Sequence, residues 1–222
     1  MTLFLFAALL FAALEAFALR TNQPRLEYLA KPAVMVCLFL WLWTSAGLAG
    51  ALSWFGIGIL LSLVGDVLLM ISLDRMFLPG LVAFLLAHVA YIIGFNSPLP
   101  ALSAWGLMLA VFVGIGGARI IRRILASLTG PGQTSLRLPI ALYGVVISLM
   151  LLSALLKLSD ASWNASAALL VALGAFLFYL SDIILAWVKF IAPIQNGRIY
   201  NILTYHLGQI TLIAGVVMQF KK

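Results

Sequence analysis

The fold class of this chain is decided by two apolar stretches, LLSLVGDVLLMISL at residues 60–73 and AALLVALGAFLFYLSDIILAWV at residues 167–188. With their apolar flanks, both have the length of a helix that crosses a bilayer, which needs about 20 mostly apolar residues. Each stretch nevertheless contains one carboxylate, Asp66 in the first and Asp182 in the second. A carboxylate is costly to bury at membrane depth and by default marks a functional site there. We therefore expect a membrane protein whose chemistry depends on Asp66 and Asp182.

The composition extends this conclusion to the whole chain. Of its 222 residues, 65% are hydrophobic and only 9% are charged, whereas soluble domains carry about 25% charged residues. The net charge of +7 suits cytoplasmic loops and contact with anionic membrane lipid, and we expect no nucleic acid partner. The single cysteine, Cys37, excludes an intrachain disulfide and a cysteine-based metal cluster. No linker or change of composition divides the sequence, so we expect one integral membrane domain over residues 1–222.

Apolar segments of spanning length recur along the sequence and predict an all-α, polytopic membrane helix bundle with about eight transmembrane helices. Proline and glycine mark several boundaries, with Pro24 and Pro32 in the first loop and Gly130-Pro131-Gly132 in the longest one. The first segment contains Glu15 and is followed by basic residues, the reverse of a cleaved signal peptide, so we expect it to be retained. The predicted spans are residues 2–19, 32–48, 52–73, 77–95, 101–118, 138–157, 164–189 and 199–219.

The distribution of lysine and arginine predicts how these spans are oriented. Ten of the thirteen basic residues fall in the odd-numbered loops, while the even-numbered loops and the C-terminal tail hold Lys157, Lys221 and Lys222. Basic loops stay in the cytoplasm, so we expect cytoplasmic odd-numbered loops and both termini outside. We expect the membrane to be a plasma membrane, the inner membrane of a bacterium. The basic residues of the odd-numbered loops are Arg20, Arg25, Lys31, Arg75, Arg119, Arg122, Arg123, Arg137, Lys189 and Arg198.

Counting from the predicted cytoplasmic edge places both aspartates at one depth. Asp66 lies eight residues before Asp74, and Asp182 lies seven before Lys189. At about 1.5 Å per residue, both carboxylates lie roughly 10–12 Å inside that edge. Several other polar residues fall in or near this layer, which predicts a single polar cavity. These residues are His88, Tyr91, Tyr205, His206 and Gln209.

Two carboxylates at one depth would allow general acid–base catalysis. If they share a proton, one acts as a general acid while the other, ionised, acts as a base on water. In the alternative interpretation, each aspartate is a structural hydrogen-bond acceptor between helices or a counter-ion for Lys31 or Arg137. Lys31 and Arg137 lie beside Pro32 and Pro139, and each would either bind a phosphate group or anchor the protein at the membrane surface.

The two histidines, His88 and His206, give a further choice of chemistry. Two histidines cannot form a three-histidine zinc site, although a site with two histidines and one aspartate is compatible with the composition. We expect no metal and no other cofactor, with His88 in an acid–base or orienting role. Tyr91, Tyr205 and Gln209 lie too deep to be solvated, so each needs a hydrogen-bond partner inside the bundle.

Motifs along nearly the whole chain resemble those of the YhhN-like membrane proteins, a family whose characterised members are lysoplasmalogenases. The resemblance rests on two short aspartate motifs and on their order and spacing relative to His88, Tyr91 and Gln209. The matching residues are Lys31-Pro32, Gly65-Asp66-Val67-Leu68-Leu69, Phe77, Gly80-Leu81, Phe84-Leu85, His88, Tyr91, Arg137, Pro139, Tyr143, Gly174-Ala175, Phe178, Ser181-Asp182, Tyr205 and Gln209.

This resemblance implies a substrate and a reaction. A lysoplasmalogen, which is a lysophospholipid with a vinyl ether, would be hydrolysed to a fatty aldehyde and glycerophosphocholine or glycerophosphoethanolamine. A vinyl ether is protonated at carbon and water captures the resulting oxocarbenium ion, so an acid, an anion and a base are needed together. The resemblance implies Asp66, Asp182 and His88 as catalytic residues. The substrate-binding candidates are Lys31, Tyr91, Arg137, Tyr143, Ser181, Tyr205, His206 and Gln209.

The same buried carboxylates are compatible with two other kinds of protein. A proton-coupled transporter of small molecules or lipids would use them to carry protons, and a non-catalytic lipid-binding protein would use them only to hold helices together. The sequence favours the hydrolase, because the broken helices common at transporter sites are not evident near Asp66 or Asp182.

Overall fold

A computed structural model describes residues 2–99, 103–130 and 132–221 of the chain. In these ranges the backbone forms eight α-helices and no strand, which confirms the predicted all-α bundle. The helices are long and apolar enough to cross a membrane, and the chain is an integral membrane protein. The first two residues of predicted span five, Pro131 of the predicted turn and Lys222 lie outside the described residues. The helices are α1 Thr2–Arg20, α2 Pro24–Ala46, α3 Ala51–Ile71, α4 Phe77–Phe95, α5 Ala104–Ser127, α6 Arg137–Leu155, α7 Ala165–Phe190 and α8 Gly197–Phe220, with short 3-10 turns at Gln133–Leu136 and Leu156–Ser159.

Six of the helices form a closed ring. In the order α2, α3, α4, α6, α7 and α8, each helix packs against the next, and α8 packs back against α2. The other two helices cover this ring from outside, α1 at the joint between α2 and α8 and α5 against α6 and α7. Few residues of α1 and α5 are buried in the protein, as expected for helices whose apolar side chains face lipid. The ring therefore encloses the interior in which the polar side chains lie.

Two helical hairpins, α3–α4 and α7–α8, have the most extensive packing in the ring. In the second hairpin the two backbones almost touch. A Cβ atom on Gly174 would lie 2.3 Å from the backbone nitrogen of Leu212, and one on Gly208 would lie 2.7 Å from that of Phe178. Small residues allow the two backbones to approach closely. In a bilayer, the resulting van der Waals packing drives helix association, because apolar side chains gain nothing by moving from lipid to protein. Each hairpin contains one of the aspartate helices, so this packing holds both carboxylates in place.

The second helix is longer than predicted. It begins at Pro24 instead of residue 32, so Pro32 lies inside the helix and its predicted loop position is wrong. Proline suits the first helical turn, where its missing N–H is not needed, and Pro24 takes that position. Inside a membrane helix, Pro32 is tolerated because neighbouring helices satisfy the freed backbone groups. As a consequence Lys31 lies within the bundle and is only 9% exposed.

The fifth helix extends past its predicted end at residue 118 as far as Ser127. Arg119, Arg122 and Arg123 therefore lie on its last turns, which corrects their predicted place in the following loop. Arginine can bury its aliphatic stem along apolar surface while its charge stays in water, so these residues do not end the helix. The apolar residues between them continue the packing, with Ile124 buried at 5% exposure.

Candidate active site

Asp66 on α3 is the centre of the first polar cluster. Its side chain is 1% exposed, and its Oδ2 atom accepts a hydrogen bond of 2.6 Å from the Tyr205 hydroxyl of α8. The Lys31 ammonium of α2 lies 3.3 Å from its Oδ1 atom. The buried carboxylate thus has both a hydrogen-bond donor and a counter-charge, the two conditions that make such burial tolerable.

Asp182 on α7 is the centre of the second cluster. Its Oδ2 atom accepts a hydrogen bond from the Tyr143 hydroxyl of α6, and its Oδ1 atom lies 3.3 Å from the Ser181 hydroxyl. His88 of α4 lies behind this pair, with its Nε2 atom 3.0 Å from the Tyr143 oxygen and 3.5 Å from Asp182 Oδ2. Asp182 is more accessible than Asp66, since 15% of its side chain is exposed.

The two clusters have the same arrangement of side chains. Each carboxylate accepts a hydrogen bond from a tyrosine hydroxyl and has one basic side chain nearby. Each of the six ring helices contributes one residue to this set, so the site depends on closure of the whole ring. The six residues are Lys31, Asp66, His88, Tyr143, Asp182 and Tyr205.

Aromatic packing connects the clusters. The Phe84 ring meets the rings of Tyr205 and Phe178 edge-on, with centroids 5.8 Å and 6.3 Å apart. The Phe178 ring lies in turn 4.7 Å from the His88 ring. Gly65, the residue before Asp66, makes room for this packing, because a Cβ atom there would lie 2.6 Å from the Phe84 ring.

A polar cavity of about 460 Å³ is lined by both aspartates. Lys31, Ser181 and Tyr205 line it as well, and it extends to exposed residues at the end of α3. This is the end of the bundle that carries the odd-numbered loops. The predicted common depth of the carboxylates agrees with the structure, because the two reference residues, Asp74 and Lys189, are joined by an ion pair of 3.0 Å.

An apolar cleft lies beside the polar cavity. It is formed by residues of α3 to α7, and its polar lining residues are Tyr143, Tyr179 and Asp182. The two spaces have four lining residues in common: Leu69, Phe84, Asp182 and Leu185. Asp182 is the acidic residue of this shared wall, so its carboxyl group borders a polar and an apolar compartment.

Three predicted binding residues belong to separate buried networks. The Tyr91 hydroxyl donates to Gln209 Oε1 at 2.8 Å, and Gln209 Nε2 donates to the Ser62 hydroxyl at 3.0 Å. His206 pairs with Glu15 of α1, and both side chains are at most 1% exposed. Tyr91, Gln209 and His206 do not line the polar cavity, so the structure divides the predicted polar layer into several networks.

Arg137 is not brought to the aspartates. Its guanidinium donates to the Leu128 carbonyl at 3.2 Å, in the connection between α5 and α6. It lines neither the polar cavity nor the apolar cleft. The described part of the chain also contains no group of three histidine, cysteine or acidic side chains that could hold a metal ion.

Several residues of the cavity are missing from the sequence prediction. Glu27 and Arg198 form an ion pair that lines the cavity, and Asn201 lines it nearby while donating to the Ser181 carbonyl at 2.8 Å. Glu27 lies four residues before Lys31, one helical turn away. That spacing is a usable signal, but a helix predicted to start at residue 32 leaves Glu27 in a loop.

Comparison with known proteins identifies the family of this chain. A model described as the YhhN family matches residues 26–216. Lysoplasmalogenase TMEM86B of Homo sapiens is 30% identical over 185 residues, which cover 83% of this chain and 72% of the human protein. The Rattus norvegicus protein of the same name is 31% identical over 200 residues, covering 86% and 73% of the two chains. No solved structure gives a significant match. From the family match over most of its length, the chain belongs to the YhhN family.

Proposed function

We propose that this protein is a lysoplasmalogenase, which hydrolyses the vinyl ether bond of a lysophospholipid inside the membrane. Its human and rat relatives carry that name. The observation that carries the proposal is the position of Asp182, which lines both the polar cavity and the apolar cleft. A vinyl ether joins a polar glycerol head to an apolar chain, so in a lipid bound across both spaces it would lie beside Asp182.

Asp182 is our candidate for the general acid. Its Oδ2 atom has the Tyr143 hydroxyl as a donor and His88 Nε2 at 3.5 Å. An imidazole can both accept and donate a proton, so Asp182 and His88 together would keep one proton ready for transfer. That proton goes to the second carbon of the alkenyl chain, the one not bonded to oxygen. An oxocarbenium ion then remains at the first carbon.

Asp66 is our candidate for the base. Lys31 supplies the counter-charge for an ionised carboxylate at this buried position, and the anion would stabilise the oxocarbenium ion. Water adds to the first carbon and gives a proton to Asp66, forming a hemiacetal. The hemiacetal then breaks to a fatty aldehyde: its hydroxyl proton goes to Asp182, while Asp66 gives its proton to the departing glycerol oxygen. Both carboxyl groups return to their starting states.

The charges of the cavity suit a zwitterionic head group. Lys31 and Arg198 would bind the phosphate, and Glu27 would bind the ammonium group of choline or ethanolamine. Contacts between charged groups of this kind are stronger than hydrogen bonds between neutral groups. All three residues line the polar cavity. Arg137 does not, so in this proposal Arg198 takes the phosphate-binding role that the sequence suggested for Arg137.

The test is aldehyde release from 1-alkenyl-glycerophosphoethanolamine and 1-alkenyl-glycerophosphocholine by purified protein in detergent. We expect turnover by the wild type and a loss of at least about 100-fold in kcat for Asp66→Asn and for Asp182→Asn. Asp74→Asn is the matched control, because the Asp74 side chain is 92% exposed. An inactive, well-folded wild type would contradict the proposal, as would full activity of either site variant.

The same experiment separates a hydrolase from the proton-coupled transporter. Protein in detergent has no proton gradient, so turnover there cannot depend on one. A lipid flux in liposomes that collapses with the proton gradient, without any aldehyde release, would instead favour the transporter.

A further inference from the structure

The apolar cleft beside Asp182 has no role in the proton transfers described above. It is lined by five isoleucines of α5 and α6, together with aromatic and aliphatic side chains of α3, α4 and α7. We propose that this cleft binds the alkenyl chain of the substrate next to its ether oxygen, and that Ala186 determines which chains are accepted. This inference rests on the proposed function and adds a chain-binding site to it. The five isoleucines are Ile120, Ile121, Ile124, Ile140 and Ile147.

The chemistry of the lining selects an aliphatic ligand. A polar group buried among these side chains would lose its hydrogen bonds to water without replacement, which is costly, whereas a methylene group has no hydrogen bond to lose. The Tyr143 hydroxyl is already engaged with Asp182. The cleft therefore offers favourable contacts to a hydrocarbon and few to a head group.

Continuity with the polar cavity identifies the hydrocarbon as part of the same molecule. The cavity and the cleft are separated only by four residues that line both of them, Leu69, Phe84, Asp182 and Leu185. A lipid whose head group lies in the cavity would therefore pass only these side chains to place its chain in the cleft. The cleft itself is small, about 70 Å³ against about 460 Å³ for the cavity. It would hold the carbons nearest the ether, while the rest of the chain lies in the bilayer.

The outer wall of the cleft is α5, which packs outside the ring. Where α5 meets α6, a Cβ atom on Gly144 would lie 2.6 Å from the Ile121 side chain, so the helices are close there. Ile121 is nevertheless only half-buried. The chain would leave the protein along this wall.

Ala186 provides the first test, because it lies one helical turn after Asp182 and lines the cleft. Ala186→Phe would fill the cleft about 6 Å along α7 from Asp182, beyond the end of a three-carbon chain whose ether lies beside Asp182. We expect kcat/KM to fall at least about tenfold for a hexadecenyl substrate and to change by less than about twofold for a propenyl substrate. Leu173→Phe, on the exposed face of the same helix, should leave both values unchanged. Equal effects of Ala186→Phe on both substrates, or no effect on either, would overturn the inference.

The second test uses wild-type protein and needs no turnover. The probe is a 1-alkyl-glycerophosphoethanolamine with a saturated ether and a diazirine at the fourth chain carbon, and labelled peptides are identified by mass spectrometry. We expect labels on Ile121, Ile124, Ile140 or Ile147, and competition by unlabelled lysolipid. Labels confined to lipid-facing residues such as Phe112 and Phe176 would overturn the chain site.

The two tests distinguish failure of the inference from failure of the proposed function. Labelling in the cleft without any aldehyde release would refute the hydrolase and leave the chain-binding site in place. Aldehyde release with labels spread over the lipid-facing surface would refute the chain-binding site and leave the hydrolase in place.

Discussion

Asp66 and Asp182 have the same kind of hydrogen-bond donor but different basic neighbours. The basic neighbour of Asp66 is the ammonium group of Lys31, whereas that of Asp182 is the imidazole of His88. This difference is the reason for giving the two carboxylates different roles. It also means that the counter-ion interpretation and the catalytic interpretation of Asp66 are compatible, because an anion that acts as a base needs a stabilising charge.

The tyrosine hydroxyls provide a prediction for each aspartate. Tyr143→Phe and Tyr205→Phe each remove one donor to a carboxylate, so we expect kcat to fall by about 10- to 100-fold while the protein stays folded. Tyr200→Phe is the control, since Tyr200 is 50% exposed. Steady-state aldehyde release measures the effect, and unchanged kcat in both variants would exclude a role for the hydroxyls.

Variants of Lys31 and Asp66 distinguish a role of this ion pair in stability from a role in catalysis. Lys31→Met leaves Asp66 as an unpaired buried charge, so we expect a loss of about 3 kcal/mol of stability. Adding Asp66→Asn should restore much of that stability, because the unpaired charge is gone, but should not restore activity. Thermal unfolding in detergent and aldehyde release measure the two effects. A double variant as unstable as Lys31→Met alone would show that the two side chains are not coupled.

At the scale of helices, close backbone contact between α7 and α8 holds Asp182 and Tyr205 in place. Gly174→Ala would drive a Cβ atom into the Leu212 backbone at 2.3 Å, so we expect a destabilisation of about 1–3 kcal/mol. Gly114 has nothing within 4 Å of such a Cβ atom, and Gly114→Ala should be neutral or stabilising by up to about 1 kcal/mol. Thermal unfolding of both variants measures this difference in stability. A larger loss of stability in Gly114→Ala than in Gly174→Ala would contradict the prediction.

The first helix packs against α2 and α8, and one buried polar pair joins it to α8. Glu15 and His206 are at most 1% exposed, although most of α1 is not buried. We expect Glu15→Gln to lower the unfolding temperature by several degrees, because it replaces the carboxylate of a buried pair by a neutral amide. Replacing both residues by leucine should be much less harmful, since no buried polar group then remains. A double leucine variant that is less stable than Glu15→Gln would contradict this account.

At the scale of the whole molecule, the orientation in the membrane stays a prediction from the basic residues. Two exposed loop positions test it, Thr134 between α5 and α6 and Ala161 between α6 and α7. In a Cys37→Ala background, we expect a membrane-impermeant maleimide to label Ala161→Cys in intact cells and Thr134→Cys only after lysis. The reverse pattern would place the mouth of the polar cavity outside the cell.

The helix class, the number of spans and the common level of the two aspartates along the bundle follow from the sequence alone. These properties depend on hydropathy and on position along one helix, and both can be counted in one dimension. The ion pair between Asp74 and Lys189 shows why the depth count agrees with the structure: the two helices end side by side. The ends of α2 and α5 differ from the prediction, because Pro32 and three arginines lie inside these helices. Neighbouring helices and lipid accommodate such residues there.

The neighbours of each aspartate, in contrast, follow from the tertiary structure. The partners of Asp182 come from α4 and α6, and those of Asp66 come from α2 and α8. Such contacts depend on rotation about each helix axis and on which helices are neighbours. The packing of small residues and aromatic rings between helices determines both the rotation of each helix and its neighbours. As a result, Arg137 lies away from the cavity while Arg198 lines it. The apolar cleft next to Asp182 has the same origin, because it exists only where α5 packs outside the closed ring.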